Sequence, residues 1–207
     1  MLGDRFEAVL RAAAAGDRDA FGVLWRASHP PLLRYLRVMC GDAADDVASE
    51  TWIRALPALE RFSGDENAFR GWLVVIARNH ARDLARRAQR RPEDLSPDMS
   101  EHLSAVDPAD TVDAVLERRS TAAALRLVAT LPPEQAELVV LRVVVGLDVA
   151  DVARITGRSP GAVRVAVHRA LRTLAGRLRK ASETPGEAPA TAPVTLPKRE
   201  ALGRRDA

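Results

Sequence analysis

Apolar residues recur every three or four positions over most of this chain, which is the spacing of one face of an α-helix. The pattern predicts short helices near the N-terminus, one helix over 43–56, a long helix over 68–90 and further helices within 112–180. The motif His29-Pro30-Pro31 is expected to interrupt a helix, because consecutive prolines remove two backbone donors. We therefore predict an all-α protein.

Residues 131–180 predict three helices separated by two tight turns. The first ends at Gly146 and the second at Gly157, since glycine tolerates the positive φ common after a helix C-terminus. Asp148 and Ser159 are suitable caps for the second and third helices. Two short helices, a glycine turn and a longer third helix are typical of a helix-turn-helix.

The third of these helices has two different faces. Its predicted core face consists of Val163, Val167, Ala170, Leu171, Leu174 and Leu178. Its candidate DNA contacts are Ser159, Ala162, Arg164, Val165, His168 and Arg169, with Arg172 beyond them. A basic face with small residues suits the major groove of DNA. The pattern alone leaves open an ordinary basic surface helix.

The long helix over 68–90 combines a core face with a polar flank. Its predicted core residues are Phe69, Leu73, Ile76, Ala77, His80 and Leu84. Trp72 and Asn79 lie seven residues apart on one flank, which Arg86 extends, with Arg78 and Arg82 beyond it. Rings stack on bases, amides contact base edges and guanidiniums neutralise phosphates, so this flank suits single-stranded DNA. A buried Trp72 beside solvated arginines is the alternative.

An acidic face lies on the helix predicted over 43–56. Asp45, Asp46 and Glu50 share it, while Val47 and Trp52 supply apolar contacts. The residues alone favour a solvated surface, although such a face also suits arginines from a partner protein.

The charge distribution divides the chain into segments. Its 207 residues have a net charge of only +3, yet residues 92–117 contain eight acids and no Lys or Arg. We predict a helical domain over 1–91, an acidic linker over 92–111 and a helix-turn-helix domain over 112–180. The proline-rich tail, 181–207, is expected to be extended or disordered.

Composition also excludes several classes of site. Cys40 is the only cysteine, so no intrachain disulfide forms and a reducing cytoplasm is the expected compartment. The four histidines are dispersed without cysteine partners, so we expect no metal site, and no cofactor motif occurs. No apolar run approaches about 18 residues, so we expect no insertion into a membrane. The sequence contains no nucleophile–base pair of the kind that would indicate an enzyme.

Three motifs in order resemble RNA polymerase sigma factors of the extracytoplasmic function (ECF) type, a branch of the sigma-70 family. The segment 42–52, DAADDVASETW, is similar to the family's A-E-D-V-x-Q-E-T-F pattern. The segment 69–83 matches F-R-x-W-L-x-x-I-A-R-N-x-x-x-D closely. Leu131-Pro132-Pro133-Glu134-Gln135 and 159–164, SPGAVR, resemble the C-terminal domain. Ser49 replaces the usual Gln, and Ala162 replaces a common Thr.

This resemblance implies a function for each segment. The N-terminal domain would dock on core RNA polymerase, with Asp45, Asp46 and Glu50 on a coiled coil of the β′ subunit. Its Trp72–Asn79 flank would capture an unstacked base of the minus-ten promoter element. The helix-turn-helix domain would bind the minus-thirty-five element. The linker would thread through polymerase toward the RNA exit path. The polymerase partners would be the β′ and β subunits of the core enzyme. Family members are usually held by an anti-sigma factor.

Two other functions remain to be distinguished. A stand-alone helix-turn-helix regulator would bind DNA without polymerase and would leave the Trp72–Asn79 flank unexplained. A nucleic-acid-processing enzyme would need a metal cluster, a phosphate-binding loop or a nucleophile, and the sequence offers none of these.

Overall fold

The computed structural model describes the backbone of residues 2–90 and 112–183, and the side chains of residues 2–87 and 119–180. Every regular element within these ranges is helical, so the all-α prediction is confirmed. The main helices are α1 (Phe6–Ala14), α2 (Arg18–Cys40), α3 (Ala44–Ala55), α4 (Glu66–Arg90), α5 (Val112–Ala129), α6 (Pro133–Val139), α7 (Val149–Thr156) and α8 (Pro160–Glu183). The predicted linker, 92–111, and residues 184–207 of the predicted tail lie outside the described residues.

Helix α2 continues through Pro30 and Pro31, so the predicted interruption at this motif is wrong. A proline inside a helix costs about 3 kcal/mol, because it removes a hydrogen bond and crowds the preceding turn. Apolar residues on both sides of the prolines, Leu24 and Leu36, are fully buried. Leu24 packs in the cluster that contains Phe69 and Leu36 packs in the cluster that contains Leu141, so burial on both sides of the prolines offsets the local cost.

Helices α1 to α4, called here the N-terminal module, pack around an aromatic cluster. Phe69 of α4 is fully buried and lies 5.6 Å from Phe6 of α1 and 5.2 Å from Phe62 between ring centroids. A 3₁₀ helix over Leu56–Arg61 carries the chain from α3 toward this cluster. The aromatic side chains thus fix the start of α4 against the rest of the module.

Helices α5 to α8, the C-terminal module, contain the predicted helix-turn-helix. The Asp148 side chain accepts a hydrogen bond from the Asp151 amide at 2.7 Å, and Ser159 Oγ accepts one from the Ala162 amide at 3.2 Å. Gly146 and Gly157 have φ values of 79° and 71°, as the turns require. A π-helical turn over Val140–Val144 follows α6, a departure from the plain helix predicted there.

The two modules pack against each other. One continuous cluster of buried residues includes Leu32 and Leu36 of α2, Val74 of α4, and Leu141 and Val163 of the C-terminal module. Gly71 of α4 faces the side chains of Leu147 and Ile155, where an added Cβ would lie 3.8 Å from each. The C-terminal module therefore covers part of α2 and α4.

The predicted core faces are largely correct, with identifiable exceptions. Leu171 and Leu178 of α8 and Leu84 of α4 are exposed, whereas each was predicted to be buried. Val74, which the core prediction omitted, is fully buried beneath the C-terminal module. Helical periodicity predicted one apolar face for α4, but the second module buries another.

Candidate nucleic-acid interface

The predicted DNA-contacting face of α8 is exposed. Ser159, Ala162, Arg164, Val165, His168 and Arg169 all face solvent. On the opposite face, Val163 and Ala170 are fully buried and hold the helix against its module. Within the described part of the chain, no carboxylate forms an ion pair with Arg164, His168 or Arg169. The helix therefore presents a rigid basic surface whose donors are available to a polyanion.

Two other arginines of the C-terminal module have internal partners. Arg158 forms an ion pair with Glu134 of α6, and Arg177 donates a hydrogen bond to Thr130. The first contact joins the turn after α7 to α6, and the second joins α8 to the turn after α5. Arg158 and Arg177 therefore make contacts within the module, whereas Arg164 and Arg169 on the α8 face do not form ion pairs with the described residues.

Trp72 lies half-buried at one end of the α4 flank, defined here as Trp72, Arg78, Asn79, Arg82 and Arg86. Its ring centroid lies 5.2 Å from Phe62 and 5.6 Å from Phe69. The indole therefore packs against two aromatic rings and is partly exposed to solvent.

A surface cleft of about 510 Å³ adjoins Trp72. Phe62 and Ser63 line one side, and two arginines, Arg61 and Arg154, border it. Arg154 belongs to α7, so the C-terminal module contributes to the rim of a cleft formed mainly by the N-terminal module. The combination of aromatic rings and guanidinium groups is suited to an unstacked base and its phosphate.

Asn79, Arg82 and Arg86 of the α4 flank are exposed. Arg86 Nη1 lies 3.5 Å from a carboxylate oxygen of Asp83, and both side chains are mostly exposed. Such a surface pair has little strength in water. These three side chains remain accessible, and they continue along α4 beyond the Trp72 cleft.

Arg78 differs from the rest of the α4 flank, because the C-terminal module encloses it. Its Nε and Nη2 donate to the two carboxylate oxygens of Glu137 at 2.6 Å and 3.1 Å, and its Nη1 donates to the Ile155 carbonyl at 2.8 Å. The side chains of Arg78 and Glu137 are only 13% and 12% exposed. In this arrangement the Arg78 guanidinium is not accessible to DNA, so a DNA contact by Arg78 stays a prediction that requires the modules to separate.

Tyr35 of α2 completes the Arg78 cluster. Its hydroxyl donates to Glu137 Oε1 at 3.1 Å. Burial, reinforced by the adjacent Glu137 carboxylate, raises the pKa of Tyr35 well above its ordinary value, so the hydroxyl keeps its proton. The hydrogen bonds that Arg78 donates to Glu137 raise the pKa of Arg78 as well, against the opposing effect of burial. Arg78 and Glu137 thus form a largely buried ion pair, and their polar atoms have hydrogen-bond partners within the protein.

Two further hydrogen bonds join the modules near the start of α4. Arg70 Nη1 donates to the Val145 carbonyl at 3.1 Å, and Asn67 Nδ2 donates to an Asp151 carboxylate oxygen at 2.5 Å. Gly146 lies directly beside the Arg70 contact, where an added Cβ would be 3.2 Å from Nη1. A glycine at this turn thus permits both the positive φ and the close approach of Arg70.

The predicted acidic face lies on α3 and remains open. Asp45 and Asp46 are exposed, and Glu50 is half-buried. Glu50 accepts a hydrogen bond from Arg54 Nε at 2.7 Å, and this bond lowers the pKa of Glu50. The face presents two exposed carboxylates, Asp45 and Asp46, that form no ion pair with the described residues.

Glu137 and Tyr35 are not among the functional candidates that the sequence predicts. Glu137 lies among apolar residues of α6, and Tyr35 lies on the buried side of α2. A polar residue within an apolar stripe is a weak signal that the residue has a buried partner. Its partner, Arg78, is 59 residues away in sequence, so spacing alone did not connect them.

No helix in the described ranges is both long enough and apolar enough to cross a bilayer. Among the same residues, no three His, Cys, Asp or Glu side chains lie together in a way that would hold a metal ion.

Comparison with known proteins gives consistent matches along the chain. The family model for Sigma-70 region 2 matches residues 24–91, and the model for Sigma-70 region 4 matches residues 121–174. Among curated proteins, the ECF RNA polymerase sigma factor BldN of Streptomyces coelicolor is 38% identical over 173 residues, which are 83% of this chain and 65% of BldN. The ECF RNA polymerase sigma factor SigD of Mycobacterium tuberculosis is 36% identical over 188 residues, with 84% of each chain covered.

A solved structure is similar as well. CnrH, in complex with the cytosolic domain of CnrY, has a TM-score of 0.57 and 25% sequence identity. The match covers 86% of this chain and 99% of that one.

Proposed function

Because the chain belongs to the ECF RNA polymerase sigma factors of the sigma-70 family, we propose that its two modules divide promoter recognition between them. Sigma factors are transcription initiation factors that bind core RNA polymerase and direct it to promoters. The N-terminal module, over residues 1–91, docks on core polymerase and contacts the melted minus-ten element. The C-terminal module, over 112–180, contacts the minus-thirty-five element as duplex DNA.

The observation that supports this division best is the contrast between two DNA-compatible surfaces on one chain. The α8 face is convex, basic and helical, as the major groove requires, and it follows a turn with the geometry of a helix-turn-helix. Arg164 and Arg169 contact bases or adjacent phosphates, and His168 supports them. Ser159 acts at the helix start, where its side chain already caps the backbone.

The α4 flank provides the second surface. Trp72 stacks on an unpaired base beside the cleft at Phe62, and Asn79 contacts a base edge. Arg82 and Arg86 neutralise phosphates along the strand. Extracting a base costs a few kcal/mol of unstacking, which aromatic stacking of about 1–3 kcal/mol per base helps to offset.

The acidic face of α3 docks on core polymerase. Asp45 and Asp46 are exposed on the module's surface. Glu50 contributes the third carboxylate. Acidic residues in this arrangement complement a basic partner surface and speed its association.

The same proposal includes two further features of the family. An anti-sigma factor holds the protein until a signal releases it, and the similar protein CnrH has a partner in its solved complex. The protein works in the cytoplasm, where core polymerase and the chromosome are available.

A promoter-specific run-off assay with purified core polymerase tests the function. We expect the wild-type chain to make core polymerase start at a defined site. Asp45→Lys combined with Asp46→Lys should abolish co-purification with core polymerase, whereas Glu60→Lys, an exposed change in the same module, should not. A chain that binds duplex DNA specifically but never joins core polymerase would instead be a stand-alone regulator.

A further inference from the structure

The Glu66 carboxylate, at the first residue of α4, binds the segment that precedes α1. Its Oε1 and Oε2 accept hydrogen bonds from the Leu2 amide at 2.9 Å and 3.0 Å, and Oε2 also accepts one from the Gly3 amide at 2.9 Å. The donors lie 64 and 63 residues from the acceptor in sequence. This carboxylate therefore joins two distant segments of the N-terminal module, and we call the set of three hydrogen bonds the Glu66 contact.

The backbone of Leu2 and Gly3 has the shape of an anion-binding nest. Leu2 has right-handed helical dihedral angles, with φ −87° and ψ −23°, and Gly3 has a φ of 55°. Successive residues of opposite hand direct neighbouring N–H groups toward one point, which suits an anion. Glu66 supplies that anion, and hydrogen bonds to an ionised acceptor are stronger than neutral ones. The Glu66 contact is therefore a specific arrangement and not a chance surface contact.

Residues 62–65, which connect the 3₁₀ helix to α4, separate two clefts. The cleft of about 510 Å³ at Trp72 lies on one side. A second cleft of about 810 Å³ lies on the other side, where Phe6 of α1 lines it. Phe62 and Ser63 line both clefts. Because this loop borders open space on two sides, its position depends strongly on the polar contacts at its ends.

The Glu66 contact lies where this loop enters α4. Asp65, the preceding residue, caps the helix, since its Oδ1 accepts a hydrogen bond from the Ala68 amide at 2.7 Å. At the other end of the loop, the rings of Phe62 and Trp72 pack with centroids 5.2 Å apart. A displacement of the loop at Glu66 therefore changes the space between Phe62 and Trp72.

We propose that Glu66 is a positioning residue for the minus-ten strand, because it holds the loop that borders Trp72 and so sets which base the Trp72 cleft accepts. The inference rests on the proposed function, since it takes this cleft as the site of an unstacked base. A binding site selects its ligand only while the residues around it are held in place by their own supporting contacts. The nest at Leu2 and Gly3 provides that support through Glu66.

Transcription from a pool of promoters randomised over the minus-ten element measures base preference directly. The whole chain with core polymerase transcribes the pool, and a transcribed barcode identifies each template. Glu66→Ala removes all three hydrogen bonds to the nest. We expect the ratio of the preferred base to the next base, at one or more minus-ten positions, to fall about fivefold. Preference within the minus-thirty-five element should stay unchanged.

Three further variants separate positioning from other effects. Gly3→Ala disturbs the nest from its other side, since alanine rarely adopts a positive φ although a Cβ has room there, and it should alter preference as Glu66→Ala does. Glu66→Gln keeps one acceptor oxygen and should lie between the wild type and Glu66→Ala. Glu7→Ala is the matched control, because Glu7 lines the same 810 Å³ cleft but pairs with Arg11 of its own helix. It should leave preference unchanged.

Fluorine NMR of the free chain, labelled with 5-fluorotryptophan, tests the inference without polymerase or DNA. The three tryptophans are Trp25, Trp52 and Trp72, and a Trp72→Phe sample assigns the Trp72 resonance. Glu66→Ala should shift or broaden that resonance. It should leave the resonance of Trp25 unchanged, because that ring stacks on His29 of α2.

An unchanged Trp72 resonance in Glu66→Ala would overturn the inference. So would an equal loss of transcription from every template with unchanged base preference, since Glu66 would then only stabilise the module. The same altered preference in Glu7→Ala would overturn it as well. The proposed function fails separately, when the wild-type chain with core polymerase starts at no defined site.

Discussion

Arg78 and Arg164 show how differently two predicted DNA contacts are held in one chain. Both are arginines on long helices, and both follow from similar reasoning about basic helical surfaces. Arg164 is exposed on α8, whereas Arg78 is almost fully enclosed by Glu137 and the Ile155 carbonyl. The α8 face is therefore open to solvent, whereas the α4 flank takes part in an internal interface through Arg78.

The support beneath the two surfaces differs as well. The α4 flank rests on a cluster of aromatic rings that spans three elements, whereas the exposed side chains of the α8 face extend from a helix anchored by small aliphatic residues. Side chains on α8 are therefore expected to affect binding with little effect on folding. Side chains on α4 are expected to affect both.

The largest expected effect comes from the aromatic support. Phe69→Ala should lower the free energy of unfolding by about 3–5 kcal/mol, because it removes a fully buried ring and leaves a cavity. Val165→Ala, on the α8 face, should change it by less than about 0.5 kcal/mol. Urea unfolding followed by circular dichroism measures both. If the two variants lost equal free energy of unfolding, packing beneath the α4 flank would contribute no more to stability than the α8 face does.

The next effect isolates the Arg78 cluster. Arg78→Ala should lower the free energy of unfolding by about 3 kcal/mol, because it leaves the buried Glu137 carboxylate without a counter-charge and with only the Tyr35 hydroxyl as a partner. Arg82→Ala, an exposed change one turn along α4, should cost less than about 0.5 kcal/mol. The same urea titration compares them. A loss as small as that of Arg82→Ala would mean that the buried pair does not form in solution.

The third prediction concerns the α8 face and DNA sequence. Arg164→Ala should reduce the discrimination between matched and scrambled minus-thirty-five duplexes by about 1–3 kcal/mol, the value of a bidentate arginine–guanine contact. Fluorescence anisotropy at one fixed salt concentration measures it, since phosphate contacts depend strongly on salt. Arg126→Ala, exposed on α5, serves as the control. If binding to both duplexes weakened equally, Arg164 would contact phosphate and would not read bases.

The smallest expected effect depends on pH and involves His29 in the N-terminal module. Burial, the largest cause, lowers the pKa of His29 below its ordinary 6.5, with Asp45 opposing and Arg37 adding to the effect. His29 Nδ1 accepts a hydrogen bond from Trp52 Nε1 at 3.2 Å, which requires an unprotonated nitrogen. The stability that neutral His29 contributes is therefore complete above pH 6.5 and is lost as the pH falls through the lower folded-state pKa.

We expect a decrease of less than about 1.4 kcal/mol, which is the value of one pKa unit, between pH 7.5 and pH 5. Comparison of the wild type with His29→Gln by urea unfolding isolates this decrease, since Gln offers an acceptor that does not titrate. An NMR titration giving His29 a pKa above 6.5 would contradict the burial argument.

Local features of the chain were predictable where their causes are local. The caps Asp148 and Ser159 and the turns at Gly146 and Gly157 follow from side-chain chemistry and backbone freedom at single positions. The exposed basic face of α8 follows from its helical period. Leu171 was assigned wrongly, because periodicity specifies one apolar side but not how far the neighbouring helices extend over it.

The sequence by itself determined that this protein is helical, that it has a helix-turn-helix after an acidic stretch, and that three motifs identify a sigma factor, because these depend on periodicity, caps and order along the chain. Only the tertiary structure decided that α2 runs through two prolines and that Arg78 meets Glu137 and Tyr35. Those outcomes depend on the burial and desolvation of groups far apart in sequence. The free energies of burial and desolvation depend on the neighbours that folding brings together. A local pattern of residues does not specify those neighbours.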